Sequence, residues 1–456
     1  MSAQVPKTRW GGIADGCFQP PGYFRAVERD GIFWLIDPDG GRFLSKGVNS
    51  VQFDQDRIRN SARIPYAEAC QRKYGSKQAW RAATAARLAS WGFNTLGSWS
   101  DDAVASAGPA PLALTINLDL GMSFAWAKND ATRGSPDQEF PDVFDPDFDR
   151  HVCDRARDLC AKRCDDQSLL GWFIDNELRW GPDWRGADEL LTLFLALRPA
   201  TPGRTAALVW LRERYSDFAA FNSTWRAPAQ SWDTLNALPG IDPPYPRNPI
   251  YQRNSREEDA ANRVDQARAA FFADCDAFAA LVAERYFKLT CAAIRAADPN
   301  HLVLGCRFAY VPSPGVINAA ARHTDVMSLN CYDSDASPVI DSYVATGKPC
   351  LISEFSFRGA DSGLPNTNGA GPLVATQAER AASFRRYVTR ALRKPALVGY
   401  HWFEHADQPA EGRFDGENSN FGTVKIDDLV YEDLVHAMTL SNDEAEALHA
   451  AVVLGA

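Results

Sequence analysis

The chain has 456 residues, of which 45% are hydrophobic and 23% charged, and its formal net charge is −10. These proportions are ordinary for a globular protein with a large core, and barrel enzymes with insertions reach this length as one unit. Because the charge is acidic and basic residues form no long run, nucleic acid and anionic membrane surfaces are excluded as expected partners.

The first 40 residues predict an N-terminal extension that ends in a β-hairpin. Strand-forming runs at 23–27 and 31–36 are followed at 37–41 by Asp-Pro-Asp-Gly-Gly, a sequence of turn-forming residues. The opening residues contain no apolar stretch of the kind that a signal peptide needs, and no window approaches the ~20 apolar residues of a membrane span. We therefore expect a cytoplasmic location, unless an export signal has been removed.

Short apolar runs alternate with longer helical patterns from residue 41 onward. This alternation is the signature of repeated βα units, and eight repeats favour a closed barrel over an open sheet. We predict an α/β fold, a (β/α)8 TIM barrel spanning residues 41–442, followed by a C-terminal tail or helix at 443–456. The eight candidate strands cover residues 43–49, 95–99, 112–118, 169–176, 302–308, 326–332, 350–355 and 397–403.

A long segment separates the fourth predicted strand from the fifth. It contains helical patterns at 203–221 and 264–297, with a proline-rich stretch at 238–249 between them. The second pattern is long enough to include the fourth helix of the barrel itself. The remainder, about 180–265, predicts a helical insertion on the rim of the barrel, where it can form a wall or lid of a site.

Two glutamates at the ends of predicted buried strands are the best candidates for catalysis. Glu177 follows the fourth strand and Glu354 lies in the seventh, so they face each other across the carboxyl-end mouth of an eight-strand ring. Enzymes that cleave glycosidic bonds typically need at least two carboxyl groups in the active site. Either residue alone is more often a structural ion-pair partner, but the two together favour catalysis, with Glu177 as acid/base and Glu354 as nucleophile. Asn176 can bind a sugar hydroxyl, and alternation directs Asp175 away from the site.

Residues 171–178, Gly-Trp-Phe-Ile-Asp-Asn-Glu-Leu, resemble the fourth-strand motif of the retaining (β/α)8 glycoside hydrolases of clan A. In that clan an Asn-Glu pair carries the acid/base and a glutamate on the seventh strand is the nucleophile, which implies these roles for Glu177 and Glu354. The chain most resembles the β-agarases of glycoside hydrolase family 50, over about residues 30–440. That resemblance rests on residues 41–51, 298–308, 399–403, 406–409 and 415–422.

The remaining candidates for sugar contacts lie near the predicted strand ends. Trp402 resembles the clan's aromatic platform beneath the sugar, and Tyr332 resembles its tyrosine that hydrogen-bonds the nucleophile; a packed core residue is the alternative for each. Arg307 can orient Glu354 through charge-assisted bonds, or it can line the barrel as an ion-pair residue. Further candidate hydroxyl ligands are Asn49, Ser50, Trp99, His401 and Glu404, together with Glu417 and Asn418 in a loop that could equally be an acidic surface.

The leading hypothesis is a retaining β-glycosidase that cleaves β-galactoside-type linkages in agar-derived or related oligosaccharides by double displacement. Agarases of the resembled family carry a sugar-binding-type β domain ahead of the barrel, whereas a hairpin stands there in this sequence, which favours oligosaccharides over long polymers. This chemistry needs no cofactor and no metal. The alternatives are a β-galactosidase or β-glucosidase of another clan A family, a non-catalytic carbohydrate-binding barrel, and a metal-dependent hydrolase, which would need a histidine cluster such as His-x-His that this sequence lacks.

Overall fold

The computed structural model describes residues 6–128, 140–245 and 265–452. Near its N-terminus lies an antiparallel sheet of three strands, β1 (Arg25–Arg29), β2 (Ile32–Ile36) and β3 (Arg42–Phe43). The predicted hairpin is confirmed, since β1 and β2 pair over their full lengths.

The eight strands predicted for the repeated βα units all form, and they lie side by side in one parallel sheet. Their residues are almost wholly buried, as expected of parallel strands that are covered on both faces. The strands are β4 (Ser45–Val48), β5 (Thr95–Leu96), β6 (Ala113–Asn117), β7 (Leu169–Phe173), β8 (Leu302–Val303), β9 (Met327–Asn330), β10 (Cys350–Phe355) and β13 (Leu397–Trp402), while β11 (Arg358–Gly359) and β12 (Leu373–Val374) form a small separate sheet.

The parallel sheet is curled so that its two edges meet. The sequence of neighbours is β8-β7-β6-β5-β4-β13-β10-β9, so that β8 and β9 stand at its two edges. These edges are joined by further hydrogen bonds: Asp325 N donates to Val303 O at 2.9 Å, and Asn330 N donates to Phe308 O at 2.8 Å. All carboxyl ends of the eight strands therefore face one mouth.

The start of the first barrel strand differs from the prediction. Phe43, predicted to open that strand, pairs with Leu35 of the hairpin instead, and the parallel strand begins at Ser45. The reason is packing: Phe43, Leu35 and Phe24 belong to one buried cluster with Leu170, and with other side chains from inside the curled sheet. The hairpin thus supplies the apolar residues that fill the amino-terminal end of the sheet.

Thirteen α-helices lie within the described residues, and local sequence signals explain several of their starts. Ser76 accepts a hydrogen bond from Ala79 N, and Thr376 accepts one from Glu379 N, as N-cap residues do. The helices are α1 (Pro65–Tyr74), α2 (Lys77–Ser90), α3 (Leu120–Lys128), α4 (Pro146–Cys160), α5 (Leu190–Leu195), α6 (Pro202–Arg214), α7 (Phe218–Trp225), α8 (Trp232–Ala237), α9 (Gln266–Ala297), α10 (Pro314–His323), α11 (Ser337–Asp341), α12 (Gln377–Leu392) and α13 (Glu432–Ala450).

The segment between β7 and β8 is helical, as predicted. It contains α5 to α8 and the 32-residue helix α9, while residues 246–264 of the predicted insertion lie outside the described residues. The single pattern predicted at 203–221 is two helices, because the Asp217 side chain caps Ala220 N and starts α7. In the ranges that the structure describes, no helix is both long enough and apolar enough to cross a bilayer.

Candidate active site

Five successive strands of the curled sheet are followed by a non-glycine residue with left-handed backbone geometry. The residues are Ser50, Trp99, Asp119, Glu177 and Arg307, with φ values between 51° and 60°. Each such conformation costs about 1–3 kcal/mol and persists only where the surrounding structure holds it, which happens most often at functional sites. The carboxyl-end mouth is therefore the part of the molecule where a site is expected.

Glu354, in β10, is held by two donors, one at each carboxylate oxygen. Arg307 Nη2 donates to Oε1 at 2.6 Å, and the Tyr332 hydroxyl donates to Oε2 at 2.7 Å. Only 4% of Glu354 is exposed. This burial raises its pKa to about 7, and the nearby charge of Glu177 acts in the same direction, while Arg307 and Tyr332 oppose the rise.

Glu177 is held by a residue that the sequence analysis did not single out. Asn330 Nδ2 donates to Glu177 Oε1 at 2.8 Å and to Asn176 Oδ1 at 3.2 Å, while its own Oδ1 accepts from Ser353 Oγ at 2.8 Å. In the sheet, Asn330 lies directly opposite Glu354. The Asn330 amide at the end of β9 therefore connects the two strand ends that carry the glutamates. In the sequence, the only signal for Asn330 was its position two residues before Tyr332.

The hydrogen bonds to the two glutamates come from donors of different charge. Glu354 receives a guanidinium N–H and a phenol O–H, and a charged donor strongly favours the ionised carboxylate. From the described residues Glu177 receives one neutral amide N–H, and burial raises its pKa. Because the two carboxyls interact, they titrate as a pair. The hydrogen bonds therefore favour the charge on Glu354, although the nearby cations Arg185 and Arg307 also lower the pKa of Glu177.

Arg307 lies inside the mouth and not on its surface. Its guanidinium is fully buried between the rings of Trp99 and Phe173, at 4.5 and 5.0 Å from their centroids. Its Nη2 also donates to Ser353 O at 3.1 Å, beside the bond to Glu354. The geometry matches the orienting contact predicted for Arg307, and it leaves no exposed surface for a direct contact with a sugar.

The structure corrects the predictions for His401 and Trp402. Both side chains have no exposed surface. The His401 ring faces the interior of the sheet, where Ser45 Oγ lies 2.8 Å from its Nε2, and burial lowers its pKa to about 3. The Trp402 ring points the opposite way and packs 5.7 Å from Phe384 of α12. Alternation along β13 explains the difference, because consecutive side chains of a strand leave on opposite faces.

The predictions for Asn49 and Glu404 as sugar ligands are corrected for a similar reason. Neither residue has exposed surface, and both are used inside the protein. Asn49 Nδ2 donates to Ser353 O at 3.0 Å. The two carboxylate oxygens of Glu404 accept from Gln55 Nε2 and Gln408 Nε2, at 2.8 and 3.0 Å. These groups support the wall of the mouth instead of lining it.

Among the other predicted ligands, Asn176, Trp99, Tyr332, Glu417 and Asn418 remain partly exposed, and Ser50 is 7% exposed. The Asn418 side chain is engaged, however, since its Oδ1 accepts from the backbone N–H groups of residues 367 and 368, at 3.0 and 3.1 Å. It ties together the loops that follow β10 and β13. The side-chain amide of Asn418 therefore supports these two loops.

An arginine missed by the sequence analysis organises the acidic residues beside the mouth. Arg413 Nη2 lies 2.7 Å from Glu417 Oε2, and its Nη1 lies 3.8 Å from Asp56 and 3.9 Å from Glu404. Burial raises the pKa of Asp56 to about 6 and raises that of Glu404 as well, although Arg413 opposes both shifts. In sequence Arg413 stands in a polar loop with no periodic pattern, so nothing marked it.

Asp175 has the structural position that alternation predicted. It is fully buried, and its oxygens accept from the backbone N–H groups of Gly121 and Met122 at 2.7 and 2.9 Å. The Tyr286 hydroxyl of α9 donates to it as well. Asp175 thus connects α3 and α9 to the segment that follows β7. Across the described parts of the chain, no group of three or more His, Cys, Asp or Glu side chains is arranged to hold a metal ion.

Comparisons with known proteins relate the chain to agarases. No family model matches it. Beta-agarase B of Vibrio sp. (strain JT0107) is 27% identical over 518 residues, which covers 98% of this chain and 51% of that protein. Beta-agarase A of the same strain is 28% identical over 481 residues, covering 90% of this chain and 44% of that protein. The chain therefore spans about half the length of these relatives.

Solved structures agree with the sequence comparison. An agarase crystal structure superposes with a TM-score of 0.78 at 26% identity, covering 98% of this chain and 68% of that one. The structure of an exo-beta-agarase gives a TM-score of 0.77 at 23% identity, covering 97% of this chain and 68% of that one, and shows a shared fold. In sequence and in fold, this chain is similar to agarases over nearly its whole length.

Proposed function

We propose that this chain is a glycoside hydrolase that retains anomeric configuration, with Glu354 as nucleophile and Glu177 as acid/base. The observation that carries the proposal is the contrast between their surroundings. Two donors, one of them charged, favour the ionised form of Glu354, whereas Glu177 receives the neutral amide of Asn330, and we therefore assign the proton of the pair to Glu177. Two carboxyls with opposed protonation states are what acid-assisted nucleophilic attack requires.

The fold proposed for this chemistry is a closed (β/α)8 barrel of clan A type. The eight parallel strands and the hydrogen bonds between the segments around β8 and β9 support closure. In that barrel the glutamates belong to the fourth and seventh strands, at the end where barrel enzymes build their sites. Retention needs carboxyl groups about 5–5.5 Å apart, and the Asn330 bridge, which bonds Glu177 and lies opposite Glu354, supports such an approach.

In the first step, a carboxylate oxygen of Glu354 forms a bond to the anomeric carbon while the bond from that carbon to the leaving oxygen breaks. The leaving oxygen takes the proton of Glu177. Arg307 and Tyr332 fix the plane of the Glu354 carboxylate, so that the attacking oxygen starts in position and little orientational freedom is lost on the way to the transition state.

In the second step, a water molecule attacks the anomeric carbon and gives its proton to Glu177, which now acts as base. The ester bond to Glu354 breaks, and its electron pair returns to the carboxylate. The same two donors, Arg307 and Tyr332, stabilise the negative charge that reappears there. The enzyme ends the cycle with the protonation states in which it began.

The proposed substrates are oligosaccharides with β-galactoside-type linkages, of agar-derived or related origin. Support comes from the two relatives that are β-agarases and from the agarase structure of 26% identity. Partly exposed Asn176, Trp99 and Glu417 offer an amide, an aromatic ring and a carboxylate to a sugar at the mouth. These groups suit an uncharged sugar that is rich in hydroxyls.

Trapping the covalent intermediate tests the proposal. A 2-deoxy-2-fluoro-β-galactosyl fluoride slows both steps, because its fluorine destabilises the oxocarbenium-like transition state, while its good leaving group keeps the first step accessible. We expect mass spectrometry to find one added fluoro-sugar, and peptide mapping to place it on Glu354. In parallel, NMR of a freshly cleaved substrate should show the β-anomer first.

Two variants make the experiment specific. Glu354→Gln should take up no label, whereas Glu444→Gln, the same change at a partly exposed carboxyl on α13, should be labelled like the wild type. Label on a residue other than Glu354, or an initial α-anomer, would contradict the mechanism. Binding of the oligosaccharide without any turnover would instead identify a non-catalytic carbohydrate-binding barrel.

A further inference from the structure

The loop after Glu177 presents an exposed tryptophan next to the proposed acid/base. Asp183 and Gly186 exchange two backbone hydrogen bonds of 3.0 and 3.1 Å, which puts Trp184 and Arg185 at the tip of a tight turn. Arg185 folds back from this tip, and its Nη2 donates to the backbone oxygen of Glu177 at 2.8 Å. The tip of the turn is therefore tied directly to the acid/base residue.

Trp184 is exposed and yet held in place. It is 51% exposed, and the Arg185 guanidinium lies 4.4 Å from the centroid of its ring. Arg185 is fixed in turn by the buried carboxylate of Asp183, which accepts from its Nε at 2.9 Å. A cation over one face of an indole holds the ring by electrostatic attraction. The turn thus presents an oriented aromatic surface, half of which the protein leaves uncovered.

A large aromatic side chain in water forgoes the stabilisation that burial would give it. Exposed apolar surface beside a site commonly marks the place where a ligand packs. A pyranose ring suits such a surface, because its axial C–H groups form an apolar face while its hydroxyls remain solvated at the edge. Trp184 has the size for one sugar ring.

We propose that Trp184 is the platform for the sugar on the leaving-group side of the cleaved bond. The inference rests on the proposed function, because Glu177 protonates the leaving oxygen and so marks the side on which the leaving sugar lies. The bond from Arg185 to the backbone oxygen of Glu177 holds the turn that carries Trp184 beside the proposed acid/base residue. The ligand class is an uncharged pyranose unit joined through the leaving oxygen.

Two substrates that differ in their leaving group test this inference. One is a galactan-derived oligosaccharide, which places a sugar on Trp184; the other is β-galactosyl fluoride, whose leaving fluoride has no ring to pack. For Trp184→Ala we expect kcat/KM on the oligosaccharide to fall about 10-fold, mainly through KM, since stacking is lost equally from ground and transition states. The kcat/KM on the fluoride should stay within about twofold of the wild type.

Two further variants serve as controls. Trp184→Phe keeps an aromatic face and should recover most of the oligosaccharide activity. Trp126→Ala removes a tryptophan of matched exposure, 49%, that lies on α3 and not on the turn bound to Glu177, so it should leave the ratio of the two kcat/KM values unchanged. Activity on the fluoride shows in each case that the variant is folded.

The outcomes separate the two proposals. If the wild type hydrolyses both substrates and Trp184→Ala loses neither activity, or loses both equally, the platform is refuted while the glycosidase proposal stands. If the wild type hydrolyses no glycoside and no glycosyl fluoride, the proposed function fails and the platform fails with it.

Discussion

Replacing Tyr332 by phenylalanine removes one hydroxyl group and the 2.7 Å bond that it donates to Glu354. A hydrogen bond to a charged group contributes about 1.5–3 kcal/mol, and about 1.36 kcal/mol corresponds to one pKa unit. Because the bond favours the ionised carboxylate, its loss raises the pKa of Glu354. Arg307 still holds the other oxygen, so we take the lower end of the range.

The pH dependence of kcat/KM measures this change. Attack requires ionised Glu354, so activity is lost as the pH falls through the pKa of that group. Burial already raises the pKa of Glu354 to about 7. In Tyr332→Phe the acidic limb of the profile should therefore move upward by about one pH unit. The alkaline limb, which reports the proton on Glu177, should move much less.

Tyr343→Phe is the matched control. Tyr343 is also a fully buried tyrosine, but its hydroxyl has no hydrogen-bond partner among the described residues. Removing that hydroxyl should leave both limbs where they are. If the acidic limb of Tyr332→Phe coincides with that of the wild type, the bond to Glu354 does not control its ionisation, and the argument for Glu354 as the ionised nucleophile is refuted.

Three further variants test side-chain contacts outside the Tyr332–Glu354 bond. Asn330→Ala removes the donor that lowers the pKa of Glu177. Glu177 should then stay protonated to higher pH, and the alkaline limb of the kcat/KM profile should move upward. An alkaline limb that does not move would contradict the role of Asn330 as a donor to Glu177. Gly47→Ala places a methyl group against the buried His401 ring, and we expect a loss of about 1–3 kcal/mol in the free energy of unfolding, visible as a lower Tm. Asp428 has a buried carboxylate bound by an arginine, a lysine and two tyrosines, which hold its pKa well below its usual range. Asp428→Asn should therefore cost about 3–5 kcal/mol in urea unfolding at neutral pH. The depressed pKa of Asp428 stabilises the fold fully above about pH 4, and this stabilisation is lost progressively as the pH falls from there toward the folded-state pKa. The difference in unfolding free energy between Asp428→Asn and the wild type should therefore narrow in acid. A difference that stays constant with pH would contradict the depressed pKa.

The sequence by itself determined the repeated βα architecture and marked two glutamates as candidates. All eight strands were predictable because a parallel strand is buried on both faces, and so appears as a short apolar run bounded by polar residues. Glu177 and Glu354 stood out as candidates because a charged residue at the end of such a run conflicts with burial unless it has a special role. These signals lie within single short segments of the chain, so they can be recognised without knowing which strand or helix each segment packs against.

Only the tertiary structure decided which neighbours surround those glutamates. The role of Asn330 depends on the register between β9 and β10, and the enclosure of His401 and Trp402 depends on where β13 stands between the interior and the helices. Likewise Phe43 belongs to the hairpin because its ring packs into the end of the sheet. Side-chain direction and cross-strand contacts arise when distant segments meet, and residue spacing along one segment does not encode them.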